Sequence, residues 1–446
     1  GSTNGVGTTN GATAAAIAAN AIRGGHTVSL GIALITTEAE TDAIFTKSGE
    51  NEVHLVSPGS ISTSSNYSSG IYNSGSNNLV TASGNISTTG EWATGIKNIG
   101  SDNITDLSGS ITTEEDNAYG IWNGGNSNIT TVSGSITTGD VVEGTGNNAY
   151  GIYNDGAFSM TTVSGSITTE GENSAGIYNY GSGNTTTLTS TGVITIRGPV
   201  AEGIYNDGGQ NITIVNGSIN VTGRGDDVTG DYASGVDNRG DDNQTTLGKS
   251  SQIITTGDYS VAVYAQDDNN ITNMHGYISV SGDWSEAISN WGNNNKNNIS
   301  GSISVTGTTN SNAILVYGGS GNTFTLDEGA TIIGDITAMS AATNNKLTFN
   351  LGQGASYAYY VGGAGEGTGA GRWDFSDLDG RTQVVTTTGA SCPDSRVTVC
   401  NLVTGVSTGN LEAQDELQFS MNSSMIGSLS LGSSNSTAPA EAMSFA

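Results

Sequence analysis

The chain has 446 residues, with 67 Gly, 4 Pro and a charged fraction of 12%, which is about half the share usual in globular proteins. Asp and Glu total 41 against 12 Lys and Arg, giving a net charge of -29; because such a surface repels phosphate backbones, we expect no nucleic-acid partner. No apolar run approaches the roughly 20 residues of a membrane helix. The first residues show no signal-peptide pattern, so we expect that a signal peptide either never existed or has been removed.

Residues 1–56 differ in composition from the rest of the chain. Residues 12–22 are rich in Ala and suit a short helix or a strand, and residues 28–35 are apolar enough for a strand. The end of a stack of strands exposes unpaired backbone groups that must be covered. We therefore predict that this segment is an N-terminal cap or an arm that docks on a neighbour.

Residues 57–318 repeat one unit about every 25 residues. The unit reads Gly-Ser-Ile-Thr-Thr, a polar turn, Gly-Ile-Tyr-Asn, a second polar turn and Asn-x-Thr-Thr-Val. Its short β-prone runs are separated by Gly and Asn turns, and no single run can bury its apolar side chains without stacked neighbours. We predict an all-β fold, a right-handed parallel β-helix (β-solenoid) with about ten regular coils.

The alternation of side chains along a strand predicts which residues face the interior of the solenoid. We place inside the Ile of Gly-Ile-Tyr-Asn, such as Ile71, the Ile of Gly-Ser-Ile, such as Ile61, and a weaker third column that includes Leu107. The Asn that follows the aromatic residue recurs from Asn73 to Asn290. Stacked Asn amides can hydrogen-bond from coil to coil, so we predict a structural rather than a catalytic column.

The repeat decays after residue 318. We predict degenerate final coils over residues 319–371, and a C-terminal β-module with a flexible tail over residues 372–446. Cys392 and Cys400 flank Pro393-Asp394-Ser395, which suggests a short hairpin closed by a disulfide, with two free thiols as the alternative. A disulfide would imply an oxidising, extracytoplasmic setting.

The repeated Gly-Ile-Tyr-Asn and Gly-Ser-Ile-Thr elements, followed by Thr325-Leu326, Gly329-Ala330 and Gly334-Asp335-Ile336, resemble the passenger of a bacterial autotransporter over about residues 57–380. The resemblance implies a secreted β-helix on the bacterial cell surface, acting as an adhesin or surface-coat protein. That family ends in an outer-membrane β-barrel, and the residues after 380 lack the series of alternating strands that a barrel needs. We therefore expect a cleaved passenger or a relative exported by another route.

The outward residue of the Gly-Ile-Tyr-Asn strand is usually aromatic. We predict that these residues form an exposed stripe, which we call the aromatic stripe. Such a stripe can hold sugar rings or a partner subunit, or its rings can simply stack between coils and stabilise the fold. Its members are Tyr72, Trp122, Tyr153, Tyr178, Tyr205 and Tyr264.

Two turns of the repeat are longer than the others, between Gly134 and Gly151 and between Gly217 and Gly235. Both fall at the same corner of the coil, and insertions on one edge of a repeat array often mark the binding side. The second one contains Arg224, Gly225 and Asp226, which is similar to an integrin-recognition tripeptide, although a match of this length also arises by chance.

Little in the sequence points to catalysis. Acidic residues gather at one corner of the repeat, where they could bind Ca²⁺ through oxygen ligands or form a solvated acidic edge; they are Asp241, Asp242, Asp267 and Asp268. We expect no other cofactor. Because no nucleophile motif or pair of His ligands is present, we predict a non-enzyme, with a polysaccharide-degrading lyase or hydrolase as the alternative.

Taken together, these patterns predict a secreted bacterial cell-surface protein. It would act by self-assembly into a filament or surface layer, or by adhesion to surface glycans or a host receptor.

Overall fold

The computed structural model describes residues 17–19, 27–36, 42–47, 49–139, 146–226, 231–350, 355–356, 360–362, 368–377, 383–388, 399–404 and 418–419. Over these residues the protein contains strands and no helix, and parallel sheets stack as a β-solenoid of about 12 turns with coils of roughly 26 residues. The predicted all-β solenoid is confirmed, while its right-handed winding stays a prediction. In the described part of the chain, no helix is long and apolar enough to cross a membrane.

Each coil contributes one strand to each of three sheets, which we call sheets A, B and C. Sheet A contains Ile17–Ala19, Ile44–Thr46, Ile71–Asn73, Ile96–Asn98, Ile121–Asn123, Ile152–Asn154, Ala175–Asn179, Glu202–Asn206, Ala233–Asn238, Ser260–Ala265, Glu286–Asn290, Asn312–Val316, Asp335–Ala338, Tyr360–Gly362, Val399–Thr404 and Gln383–Thr388. Sheet B contains Thr27–Leu30, Glu52–Leu55, Leu79–Ala82, Ile104–Leu107, Ile129–Val132, Met160–Val163, Thr185–Leu188, Ile212–Val215, Gln244–Leu247, Ile271–Met274, Lys296–Ile299, Thr323–Asp327, Asn345–Asn350 and Trp373–Asp377. Sheet C contains Ala33–Thr36, Ser60–Thr63, Asn85–Thr88, Ser110–Thr113, Ser135–Thr138, Ser166–Thr169, Val193–Ile196, Ser218–Val221, Gln252–Thr255, Tyr277–Val280, Ser302–Val305 and Thr331–Ile333.

The interior of the solenoid consists of the three predicted columns of aliphatic side chains, one from each sheet. Every member of these columns is at most 1% exposed, so the predicted inward faces are confirmed. The sheet A column is Ile71, Ile96, Ile121, Ile152, Ile177, Ile204, Val236, Val263, Ile288 and Ile314. The sheet C column is Ile61, Ile86, Ile111, Ile136, Ile167, Ile194, Ile219, Ile253, Ile278 and Ile303. The sheet B column includes Leu107, Val132, Val163, Leu188, Val215 and Met274.

The predicted Asn column forms a continuous chain of side-chain hydrogen bonds inside the solenoid. Asn154 Nδ2 donates to Asn179 Oδ1 at 2.8 Å and to Thr161 Oγ1 at 3.1 Å, and Asn154 Oδ1 accepts from Asn123 Nδ2 at 2.9 Å. The same pattern extends from Asn98 to Asn238. Because these amides are fully buried and bonded, they meet the requirement that polar groups in a core be paired.

A second buried Asn column, which the sequence analysis did not single out, lies at the start of the sheet B strands. The side-chain oxygen of each Asn accepts a hydrogen bond from the backbone N–H of its counterpart one coil earlier, as between Asn103 and Asn78 at 2.8 Å. Between Asn78 and Asn270 its Nδ2 closes the preceding turn, as from Asn78 to the Gly75 carbonyl at 2.7 Å, whereas this bond is missing at Asn295, Asn322 and Asn345. These bonds fix the turn between sheets A and B in the same shape coil after coil.

The solenoid continues on both sides of the predicted regular region. The strands Thr27–Leu30 and Ala33–Thr36 pair in parallel with Glu52–Leu55 and Ser60–Thr63, so residue 57 marks no break in the stack. At the other end, Trp373–Asp377 still belongs to sheet B. The described C-terminal strands Gln383–Thr388 and Val399–Thr404 are antiparallel to each other, and Ala355–Ser356 pairs with Gln418–Phe419. Whether the first 56 residues act as a cap stays a prediction.

Candidate functional site

The aromatic stripe runs in register along the outer face of sheet A. Trp122 lies beside Tyr153, Tyr153 beside Tyr178, and Tyr178 beside Tyr205. The stripe was predicted to be exposed, but most of its rings are half-buried and Tyr264 is only 8% exposed. The rings of the stripe are therefore partly covered by neighbouring side chains and partly accessible to a ligand.

Contacts between rings explain the reduced exposure of the stripe. The Tyr178 and Tyr205 rings stack with centroids 4.6 Å apart, and Tyr153 and Tyr178 lie 5.2 Å apart. A second row of rings, Tyr119 and Tyr150, stacks at 5.2 Å and covers the edge of the first row. Aromatic pairs at such distances each contribute about 0.5–1.5 kcal/mol beyond the area that they bury.

The second row was missed because strict alternation fails at the Gly of the Gly-Ile-Tyr-Asn element. A Cβ at Gly151 would meet Ile167 in the interior, so Gly151 and Ile152 both face inward and the preceding Tyr150 faces outward. The same break puts Glu202 on the outer face of sheet A, beside the stripe. A period of two places these residues inside; the Gly at the bend is the signal that would have placed them correctly.

The outer face of sheet A also holds cations against its rings. Lys97 occupies the stripe position between Tyr72 and Trp122, with its Nζ 5.2 Å and 4.3 Å from their centroids. Arg239 lies 5.0 Å from the Tyr205 centroid and donates from Nε to Asp237 Oδ2 at 3.1 Å. Cations over aromatic faces are attracted by the ring quadrupole, so this surface suits positively charged groups.

A cleft of about 230 Å³ opens on this face between the two longer turns. Asn148 and Tyr150 belong to the first of the longer turns and Asp231 belongs to the second, so both turns contribute residues to the lining of the cleft. At about 4.8 Å per coil, the lining coils span roughly 14 Å. The lining residues are Asn148, Tyr150, Asn173, Val200, Glu202, Tyr205, Asp231 and Arg239.

Three carboxyl groups are buried on this face. Burial, followed by the charge of Asp237, holds the pKa of Glu202 well above its ordinary value. Burial also raises the pKa of Asp237 to about 6 despite its pairing with Arg239, and it raises the pKa of Glu286 well above the usual value. Glu286 Oε2 lacks a hydrogen-bond partner, so no hydrogen bond at this atom stabilises the ionised form of Glu286.

Glu286→Gln is expected to stabilise the protein at neutral and alkaline pH by about 1–3 kcal/mol, because the amide cannot ionise and each unit by which burial raises the pKa of Glu286 costs about 1.4 kcal/mol at high pH. A raised pKa in the folded state means that stability is full below the unfolded value of 4.5 and falls as the pH rises through the folded value. Denaturant unfolding between about pH 4 and pH 9 should show the advantage of the variant growing with pH. The exposed Glu91→Gln serves as the control, and parallel pH profiles for Glu286→Gln and wild type would contradict this account.

The predicted acidic corner is organised by hydrogen bonds between coils. Asp241 Oδ1 accepts from the Asp268 backbone N–H at 2.9 Å, and Asp268 Oδ1 accepts from the Asn293 backbone N–H at 2.7 Å. Asp267, also at this corner, has its pKa raised by partial burial and then by Asp241 and Asp268, and Asp242 adopts a left-handed turn conformation. Over the described ranges, no three His, Cys, Asp or Glu side chains are grouped to hold a metal ion, and Ca²⁺ binding stays a prediction.

The Arg224, Gly225 and Asp226 tripeptide lies flat against the solenoid. Gly225 is buried and its N–H donates to the Asp258 carbonyl at 2.9 Å, while the Asp226 N–H donates to the Asp231 carbonyl at 2.8 Å. Recognition of this tripeptide by a receptor stays a prediction.

The predicted disulfide falls only partly within the described residues. Cys400 lies in the strand Val399–Thr404, opposite Thr387, whereas Cys392 lies outside the described residues, as does the tail from Ser433. The pairing of the two Cys therefore stays a prediction.

Comparison with protein families, with curated proteins and with solved structures found no match to this chain.

Proposed function

We propose that the protein is a secreted bacterial cell-surface protein that acts by adhesion, holding glycan chains on the outer face of sheet A. The observation that carries the proposal is the row of half-exposed rings that ends in a cleft between the two longer turns. Aromatic rings offer large, rigid apolar faces beside a polar hydroxyl, and ligand sites combine such faces with a few convergent polar groups. Asn148 and Asn173 supply such polar groups in the cleft.

The extracellular setting is supported by the acidic, low-Lys composition and by the resemblance of the coils to autotransporter passengers. A regular solenoid suits this role because its coils present the same outward positions repeatedly along one axis. An extended ligand such as a polysaccharide can then contact several coils at once.

Tyr153→Ala and Tyr178→Ala should each weaken glycan binding by about 3- to 10-fold, since an aromatic contact contributes about 0.5–1.5 kcal/mol. Binding is measured on a glycan array and then by calorimetry with the glycan found there. Tyr277→Ala, which removes a 38%-exposed ring from sheet C, is the matched control. Equal affinities for wild type and both stripe variants would rule out the stripe as the binding surface.

Hydrolysis of the bound glycan is the enzymatic alternative. Glycosidases use two carboxyl groups on either side of the scissile bond, one of them an acid with a raised pKa. Glu202 and Asp231 line the same cleft, and Glu202 has a raised pKa. Release of new reducing ends by the wild type, lost in Glu202→Gln, would establish hydrolysis in place of adhesion.

Self-assembly is the second candidate function, and a row of exposed apolar side chains on sheet B favours it. Ile104, Ile129 and Met160 are stacked in register and are 44%, 41% and 53% exposed. Exposed apolar patches on soluble proteins often mark interaction sites. Filaments or sheets in electron micrographs would support assembly, whereas single rods under all salt and Ca²⁺ conditions would argue against it.

A further inference from the structure

We propose that the cleft between the two longer turns binds a primary ammonium group carried by a glycan, that is, a free amino sugar. This inference rests on the proposed glycan-binding function and narrows its ligand to one chemical class. It follows from the charge balance of the cleft, from the cations that the same face already holds, and from the placement of Glu202.

The cleft carries more negative than positive groups. Its lining contains the carboxyl groups of Glu202 and Asp231 and the guanidinium of Arg239. Arg239 is already bonded to Asp237 at 3.1 Å. Its charge also acts on Glu202, but neither Glu202 nor Asp231 forms a direct ion pair with any residue that the structure describes. A ligand cation would supply the missing counter-charge.

Glu202 is placed to receive such a cation. It lines the cleft although only 6% of it is exposed, and no other side chain in the described ranges donates a hydrogen bond to it. The carboxyl group accepts a hydrogen bond from the backbone N–H of Glu202 itself. Burial makes the charged form of Glu202 costly and raises its pKa although the charge of Arg239 opposes the shift. An ammonium group that pairs with the carboxylate would offset this cost through a charge-assisted hydrogen bond.

The same face shows how an ammonium group is accommodated. The Lys97 ammonium lies between Tyr72 and Trp122, rings that belong to the coils on either side of it. In the cleft, Tyr150 lines the space beside Glu202, so a ligand ammonium meets an aromatic ring and a carboxylate. The Tyr205 ring is already stacked on Tyr178 and covered by Arg239. Aromatic faces beside anionic groups are a recurrent means of recognising ammonium ligands.

An amino sugar fits the remaining groups better than a lysine side chain does. The Asn148 and Asn173 amides line the cleft and can both donate to and accept from ring hydroxyls, which lysine does not have. The tyrosine rings can also cover the apolar face of a sugar ring.

The test compares oligomers of glucosamine and of N-acetylglucosamine, matched in length, by calorimetry at about pH 6 and low salt. The glucosamine oligomer should bind at least about 10-fold more tightly. Glu202→Gln should remove most of this preference, because it should lower affinity for the glucosamine oligomer far more than affinity for the acetylated oligomer. Glu91→Gln, an exposed carboxylate at the corresponding corner of an earlier coil, should leave the preference intact.

A second readout is the proton balance of binding. Because Glu202 holds its proton to higher pH than an ordinary Glu, pairing with an ammonium should lower its pKa and release a proton. The binding enthalpy should then depend on the ionisation enthalpy of the buffer in wild type and not in Glu202→Gln.

The outcomes separate this inference from the proposed function. Equal binding of both oligomers, or a preference that persists in Glu202→Gln, overturns the inference and leaves glycan adhesion standing. Binding of a lysine-rich peptide in place of either oligomer overturns the inference. If neither oligomer binds, the inference is likewise wrong. The proposal of glycan adhesion is then also wrong only if no other glycan on the array binds.

Discussion

Asn154→Leu is expected to lower the stability of the coils around it by about 2–5 kcal/mol, because it leaves buried polar partners unsatisfied. Asn154 is fully buried and bonds to Asn123, Asn179 and Thr161. Leu is close to Asn in size, so the loss arises from the unpaired groups rather than from an empty cavity. Denaturant unfolding followed by circular dichroism measures the effect, with hydrogen exchange to localise it, since long arrays can unfold in parts.

The matched control is Asn290→Leu in the same column. Asn290 lies between Ala265 and Val316, and neither polar atom of its side chain has a hydrogen-bond partner. Replacing an unsatisfied buried amide by an apolar group of similar shape is nearly neutral or stabilising. Equal destabilisation by both variants would mean that the column contributes through packing and not through its hydrogen bonds.

Gly134→Ala is expected to destabilise the solenoid by at least about 3 kcal/mol, at the upper end of overpacking costs. A Cβ at Gly134 would overlap the carbonyl oxygen of Gly109 one coil earlier and would lie 2.7 Å from the Ser108 carbonyl carbon. Backbone atoms of a stacked coil cannot rotate away, so two coils would have to separate along all three sheets. The measurement is the denaturant midpoint, together with the amount of soluble protein.

Gly318→Ala is the control that measures the loss of backbone flexibility without a steric clash. The nearest atom to a Cβ at that position is the Trp291 carbonyl oxygen at 3.7 Å, so the change should alter stability by less than about 1 kcal/mol. A Gly134→Ala variant as stable as Gly318→Ala would show that the coils can separate at little cost.

The chain itself departs from Gly at this corner at Ser251 and at Ala330. Ser251 occupies the position of Gly134, and the turn that leads to it from Leu247 is two residues longer than the turn from Val132. The longer turn is closed by a hydrogen bond from the Ser251 N–H to the Gly248 carbonyl at 2.9 Å. A longer turn should therefore accompany any side chain at this position.

Much of the fold could be predicted from the sequence because its physical signals are local and repeated. Ile71 and Asn73 alternate with Tyr72 along one strand, Ile61 alternates with its neighbours along another, and the repeat length sets which residues stack. The Asn73 column could be predicted for the same reason, since a polar residue at an inward position requires a partner of its own kind one coil away.

The composition of the candidate site was harder to predict. The equivalent positions Gly151 and Gly203 break the alternation and bring Tyr150 and Glu202 to the outer face, so the second row of rings and the buried acid were assigned to no site. The exposure of the aromatic stripe was overestimated because contacts among rings from neighbouring coils depend on side-chain conformations. By contrast, the shared corner of the two longer turns follows from counting residues, and the cleft lies between them.

The most direct test of glycan adhesion is hydroxyl-radical footprinting of the protein with and without the glycan selected on the array. Oxidation reports the accessibility of each ring, so a ligand on sheet A should protect Tyr153, Tyr178 and Tyr205 and leave the exposed Tyr67 and Tyr277 unchanged. Protection confined to Tyr67 or Tyr277, or no change at the aromatic stripe at saturating glycan, would contradict the assignment of glycan binding to this face.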